Sequence, residues 1–284
     1  MATRPPAHKV LLLALAFVGV SLACKLVPWF GLGFLDERSI VRSSVAGLVA
    51  LAATIAMTAL ALRWKPTRSL AAPQLVLLPR LSVADLGLAG KTALVGVAMF
   101  AIAFGTAWLV GGIHVIWAGI PPVAVAGTVG TMLVTTILNA AWEEYAFRGW
   151  AFSACVARFG PHPVALGIGT IFGLVHLLNP NVTWMAVVSV AAAGWLIGYV
   201  MLASGNIIAA IGMHVGWNIT QSVLTTDRLW IVERGPSPFL SGGAYGLEAS
   251  LPGLVVTVVA AGVAAAVFVM SKRWRPETTG GTAR

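Results

Sequence analysis

Long apolar runs, each about the length of a bilayer crossing, dominate the hydrophobic pattern of the chain. A helix of about 20 apolar residues is enough to span the hydrocarbon core of a membrane. Proline, glycine or charged residues punctuate most boundaries between the runs. The pattern predicts an all-α polytopic bundle of about eight membrane-spanning helices, at 10–30, 42–62, 92–112, 124–157, 163–179, 184–203, 206–226 and 251–271.

The fourth run, 124–157, is too long for one straight crossing. We therefore expect part of 113–128 to lie in the outer interface or in a surface loop. No internal repeat is visible in the sequence, and a transporter built from repeated halves would show one.

Composition supports the membrane assignment and excludes a water-soluble globule. Hydrophobic residues make up 58% of the chain and charged residues only 10%, and the mean hydropathy is +0.90. A soluble domain carries about 25% charged residues. The net charge of +9 does not indicate a nucleic-acid partner, because the basic residues lie beside apolar spans, where topology and anionic lipid headgroups account for them.

The distribution of basic residues predicts the orientation. Lysine and arginine are enriched in cytoplasmic loops. With eight spans and both termini in the cytoplasm, five basic residues fall outside, namely Lys25, Arg38, Arg42, Arg228 and Arg234. The other thirteen fall inside: Arg4, Lys9, Arg63, Lys65, Arg68, Arg80, Lys91, Arg148, Arg158, Lys272, Arg273, Arg275 and Arg284.

Two adjacent carboxylates and an arginine interrupt the fourth run. Burying a charge at membrane depth costs several kcal/mol unless it is paired or serves a site. On a helix, Glu144 and Arg148 are four residues apart and lie on one face, within ion-pair reach. Glu143 points about 100° away. The spacing predicts that Glu144 pairs with Arg148, whereas Glu143 is free to act as a general base.

Polar side chains also interrupt two later runs. His214 and Asn218 are four residues apart and share a helix face, from which both could donate hydrogen bonds to an oxyanion. His176 comes from another run, with Phe172 one turn earlier on the same face. Glycines spaced by four accompany these groups and allow helices to approach closely: Gly169 and Gly173, Gly194 and Gly198, and Gly212 and Gly216.

Each of these features also has a structural explanation. A single Glu–Arg pair in a bundle can serve as a clamp, and a single histidine on an apolar helix is usually a hydrogen-bonded packing residue. Buried Glu, His and Arg also build the proton relays of transporters. The occurrence of all of them in neighbouring spans favours a catalytic site.

The three motifs resemble those of a known family. Glu143-Glu144-x-x-x-Arg148-Gly149, Phe172-x-x-x-His176 and His214-x-x-x-Asn218 look like the signature motifs of the CAAX protease and bacteriocin-processing family. Its members are intramembrane glutamic endopeptidases, among them the eukaryotic prenyl-protein proteases. The resemblance covers residues from about 125 to 226, and their order and approximate spacing agree with the family.

The resemblance implies a role for each matching position. Glu143 would activate the attacking water, and His176 would bind or orient that water. His214 and Asn218 would form the oxyanion hole. The supporting residues would be Glu144, Arg148 and Phe172.

We therefore expect a hydrolase that cleaves a peptide bond of a membrane-anchored peptide or protein. The expected regions are N-terminal transmembrane helices and a cytoplasmic loop (1–122), a protease core (123–226), and an outer loop, last helix and basic cytoplasmic tail (227–284). The alanine- and glycine-rich composition with short loops points to a bacterial plasma membrane. The alternatives are a non-catalytic immunity or scaffold protein and a proton-coupled transporter.

A metal is the remaining alternative for the mechanism. Zinc bound by Glu143, His176 and His214 would keep one coordination position for water. Against zinc, the sequence has no H-E-x-x-H motif, and the asparagine amide expected in the site is not a usual zinc ligand. We expect catalysis without a metal or other cofactor.

Overall fold

The computed structural model describes residues 6–32, 40–271 and 274. Within these residues eight helical segments are long and apolar enough to cross a membrane. The prediction of a polytopic all-α membrane protein is confirmed. Its long helices are α1 (Ala7–Gly31), α2 (Ile40–Arg63), α4 (Val83–Leu109), α5 (Pro122–Arg148), α6 (Trp150–Phe159), α7 (Pro161–Val175), α8 (Trp184–Ser204), α9 (Ile207–Leu224) and α11 (Leu251–Ser271).

Shorter elements lie between the spans. They are the helices α3 (Lys65–Arg68) and α10 (Pro238–Ser241), and the strands β1 (Ile113–Trp117) and β2 (Trp230–Arg234). The two strands pair antiparallel, and the rings of Trp117 and Trp230 meet edge to face with centroids 5.2 Å apart. Strand β1 falls within 113–128, where the sequence predicted an interfacial or loop segment. Because β1 follows α4 and β2 follows α9, the sheet lies on the face of the bundle where these two helices end.

On the opposite face of the bundle, a separate backbone contact connects two segments between helices. The segment before α4 runs beside the start of α9, where Val76 and Asn206 form a parallel bridge. The side-chain amide of Asn206 also donates to Asp85 at 2.8 Å. The bridge and the sheet therefore lie at opposite ends of α4 and α9, as eight alternating spans require.

Two predicted span boundaries were wrong. Helix α4 starts at Val83 rather than at residue 92, because Ser82 and Asp85 form a capping box, and the polar residues of that first turn hide the start from the hydropathy pattern. The long fourth run is divided at Gly149, where α5 ends and α6 begins. A Cβ atom at Gly149 would collide with the carbonyl oxygen of Tyr145.

The helices that carry the polar motifs pack closely. A Cβ atom at Gly194 on α8 would lie 2.6 Å from the Cα of Gly169 on α7. On α9, Gly216 lies directly against the backbone of Ala93 on α4. Small residues at these crossings let membrane helices approach to backbone contact. The predicted role of the spaced glycines is confirmed at these two crossings.

The topology can be tested with reporter fusions. The charge distribution and the eight spans predict cytoplasmic signals for fusions after Ser69 and at the C-terminus, and external signals after Leu32 and Gly235. A paired reporter that is active only outside the membrane serves as the control at each site. An external signal at Ser69 or at the C-terminus would contradict the topology. Six of the counted basic residues lie outside the described residues, namely Arg4, Arg38, Lys272, Arg273, Arg275 and Arg284.

Candidate active site

A cavity of about 140 Å³ lies between the helices. Helices α5, α7, α8 and α9 contribute most of its wall, and the segment before α11 closes it from the other side. The structure brings five residues from the three sequence motifs to this cavity: Glu143, Phe172, His176, His214 and Asn218.

Behind the cavity lies a fully buried ion pair. Both Glu144 and Arg148 are 0% exposed, and Nη1 of Arg148 donates to Oε1 of Glu144 at 3.1 Å. The Nη2 of Arg148 donates to the carbonyl oxygen of Gly194 on α8 at 3.0 Å. The Glu144–Arg148 pairing follows from the four-residue spacing on α5. The hydrogen bond to Gly194 additionally connects α5 to α8.

His214 lies between the two adjacent carboxylates. Its Nδ1 donates to Oε1 of Glu144 at 2.8 Å, and its Nε2 faces Oε2 of Glu143 at 3.7 Å. The hydrogen bond to one ring nitrogen fixes which nitrogen remains for chemistry. Because Glu144 engages Nδ1, Nε2 is the atom that faces the cavity.

The two glutamates have different surroundings, as helix geometry predicted. The Glu143 side chain is 22% exposed and lines the cavity, whereas Glu144 lies wholly behind it. Oε2 of Glu144 and Nε of Arg148 have no hydrogen-bond partner among the residues that the structure describes. Among the described residues, the Glu144–Arg148 pair is held by three hydrogen bonds: the one within the pair, the one from Arg148 to Gly194 and the one from His214 to Glu144.

Phe172 joins the two histidines. Its ring lies 4.6 Å from the His176 ring and 6.1 Å from the His214 ring, in edge-on arrangements. The guanidinium of Arg148 lies over the same ring, 4.7 Å from its centroid. His176 follows the end of α7, and its Nδ1 donates to the carbonyl oxygen of Phe172 at 2.8 Å. This bond leaves Nε2 of His176 free to accept a hydrogen bond.

Sequence reasoning missed several residues of the cavity wall. Glu248 accepts a hydrogen bond from Nε1 of Trp217 at 3.1 Å, and Asn179 donates to the hydroxyl of Tyr245 at 3.3 Å. Ser189 is 4% exposed and also lines the cavity. The one available signal for Glu248 was a carboxylate three residues before the apolar run that starts at residue 251.

A zinc site would require at least three ligand side chains close together. In the described part of the chain, no three His, Cys, Asp or Glu side chains are grouped closely enough to hold an ion. Glu143, His176 and His214, which the sequence offered as a zinc set, line one cavity without forming such a group. Metal independence stays a prediction.

Comparison with known proteins identifies the region around the cavity. A family model described as type II CAAX prenyl endopeptidase Rce1-like matches residues 125–220. The matched segment contains every site residue that the sequence motifs predicted, and it confirms the resemblance to the CAAX protease family. No curated protein and no solved structure matches the chain at a significant level.

The different surroundings of Glu143 and Glu144 predict different phenotypes. Glu143→Gln should abolish peptide cleavage while leaving thermal unfolding in detergent nearly unchanged, because its partly exposed carboxylate makes only a long contact of 3.7 Å with His214. Glu144→Ala should lower the free energy of unfolding by about 3–5 kcal/mol, because it strands Arg148 as an unpaired buried charge.

The matched control is Glu233→Gln, which removes an exposed carboxylate on β2 and should change neither property. If Glu143→Gln unfolds the protein and Glu144→Ala merely inactivates it, the assignment of the two glutamates is wrong.

Proposed function

We propose that this multi-pass protein, which carries the CAAX protease family segment at residues 125–220, hydrolyses a peptide bond with water that Glu143 activates. The family match supports an intramembrane endopeptidase acting on a membrane-associated peptide. The observation that carries the glutamate mechanism is the position of His214 between Glu143, which lines the cavity, and Glu144, which lies behind it.

In this mechanism Glu143 is the general base. Its carboxylate accepts a proton from water, and the water oxygen bonds to the carbonyl carbon of the substrate. Nε2 of His176, which the bond from Nδ1 to Phe172 leaves as an acceptor, orients the same water. When the C–N bond breaks, the proton on Glu143 passes to the leaving amine. Water is thereby divided between the new carboxyl group and the new amine.

His214 and Asn218 stabilise the negative charge that develops on the carbonyl oxygen. They lie one helical turn apart on α9 and line the same cavity. Glu144 accepts the Nδ1 proton of His214, so the imidazolium form presents its second proton, on Nε2, to the cavity. Donors that are already aimed at the developing charge lower the barrier without reorganising during the reaction.

We further propose that the enzyme resides in a bacterial plasma membrane with both termini in the cytoplasm and acts on a membrane-anchored peptide or protein. Thirteen basic residues on the predicted inner side support this orientation. Hydrolysis accounts for the shared cavity better than a scaffold or transporter does, because those roles do not require a base and two oxyanion donors around one space.

Catalysis is expected to need no metal. Purified enzyme should contain far less than one equivalent of zinc by elemental analysis, and it should keep its cleavage rate after extensive chelation, because Glu143 alone can deprotonate water. A thermolysin-type zinc protease treated in parallel is the control for chelation. Near-stoichiometric zinc, with activity lost on chelation and restored only by metal, would defeat the glutamate mechanism.

Asn218→Ala should reduce kcat about 10²–10³-fold with little change in KM, because it removes one oxyanion donor. Initial rates with a fluorogenic membrane peptide provide both constants. The matched control is Asn179→Ala, which removes an amide that donates to Tyr245 instead and should spare kcat. A silent Asn218→Ala would place the oxyanion hole elsewhere.

A further inference from the structure

One wall of the cavity carries polar groups that the proposed mechanism does not use. Glu248 lies in a short 3₁₀ turn, Leu247–Ala249, that packs against α8. Ser189 lies on α8 and faces the same cavity, and the hydroxyl of Tyr245 lines it nearby. These groups stand on a different wall from Glu143, which comes from α5.

Glu248 is a half-buried carboxylate in a cavity that no described lysine or arginine lines. Its Oε1 accepts a hydrogen bond from the neutral indole of Trp217 at 3.1 Å. Burial raises the pKa of the Glu248 carboxyl, against the opposing charge of His176 and the hydrogen bond from Trp217. Withdrawing a carboxylate from water without a counter-charge is costly. A cation bound in the cavity would offset this free-energy cost.

The protein supplies no such cation from its own described lysines or arginines, none of which lines the cavity. Arg148 is engaged by Glu144 and by the carbonyl of Gly194. Lys25 donates to the side-chain oxygen of Asn139 and lies over the ring of Trp142, 4.7 Å from its centroid. The two histidines of the cavity are already engaged: in the proposed mechanism Nε2 of His176 accepts a hydrogen bond from water, and His214 is bonded to Glu144 and faces Glu143. A further cation for Glu248 therefore has to come from a ligand.

Ser189 provides an independent indication of a ligand. Its side chain is buried at 4% exposure, and its Oγ has no hydrogen-bond partner among the described residues. Buried hydroxyl groups are nearly always hydrogen-bonded, so an unpartnered one at a cavity wall marks the place of a missing polar group. An ammonium group has three donors and no acceptor, and therefore suits a carboxylate together with hydroxyl oxygens.

We propose that Glu248 and Ser189 form a subsite that binds a cationic side chain of the substrate, a lysine or arginine close to the scissile bond. The hydroxyl of Tyr245, which already accepts from Asn179, completes the wall of this subsite. This subsite would determine which substrates the cavity accepts for hydrolysis, and it therefore rests on the proposed function. Binding, however, can be measured without cleavage.

The test uses a pair of synthetic transmembrane peptides that differ at one position, lysine in one and norleucine in the other. The position is scanned across the peptide, and dissociation constants are measured for Glu143→Gln protein in uncharged maltoside detergent. At one position or at adjacent ones, lysine should bind about 10- to 100-fold more tightly, as expected for a charge-assisted hydrogen bond in a partly buried site.

Adding Glu248→Gln should reduce this ratio to near one. Ser189→Ala should reduce it by a smaller factor, and it serves as a second test should Glu248→Gln fail to fold. Glu233→Gln, which removes an exposed carboxylate from β2, should preserve the ratio. Equal binding of the two peptides at every position, or a preference that survives Glu248→Gln, would overturn the subsite.

The cleavage assay separates this inference from the proposed function. If wild-type protein binds the lysine peptide selectively and cleaves nothing, hydrolysis is wrong and the subsite stands. If it cleaves both peptides with equal kcat/KM, hydrolysis stands and the subsite is wrong. A Glu248→Gln variant that cleaves both peptides more slowly by the same factor would make Glu248 a proton donor rather than a specificity residue.

Discussion

The structure depends on one buried carboxylate. Oε1 of Glu144 accepts hydrogen bonds from Arg148 on its own helix and from His214 on α9. Arg148 in turn reaches the backbone of Gly194 on α8. Three helices are thus tied together by charge-assisted hydrogen bonds around a fully buried ion pair. Loss of Glu144 would remove a hydrogen-bond partner from both Arg148 and His214, so the cluster fixes how α5, α8 and α9 are rotated.

Close helix packing surrounds the polar cluster in this apolar bundle. Gly169 against Gly194, and Gly216 against the backbone of Ala93, bring the helices to backbone contact. These crossings join α7 to α8 and α4 to α9, and the hydrogen bonds of the polar cluster connect α5 to α8 and α9. Phe172 closes the remaining gap and touches both histidines and the guanidinium. The Phe172 ring therefore forms part of the wall around the polar cluster.

Local spacing predicted what a single helix determines. The Glu144–Arg148 pair and the shared face of His214 and Asn218 follow from four-residue separations on one helix. The bond between Glu144 and His214 could not be predicted in this way, because it joins residues 70 positions apart and depends on how α5 and α9 pack. Glu248 escaped notice for the same reason: its only described hydrogen bond comes from α9, across the bundle.

The sheet between β1 and β2 lies on the same face of the bundle as Tyr245 and Glu248, since all of them belong to segments that join spans at that end. The bridge between Val76 and Asn206 marks the other face. The part of the cavity wall that Tyr245 and Glu248 form therefore lies toward the compartment that the sheet faces. The direction in which α1 inserts therefore also determines on which side of the membrane the sheet, Tyr245 and Glu248 are placed.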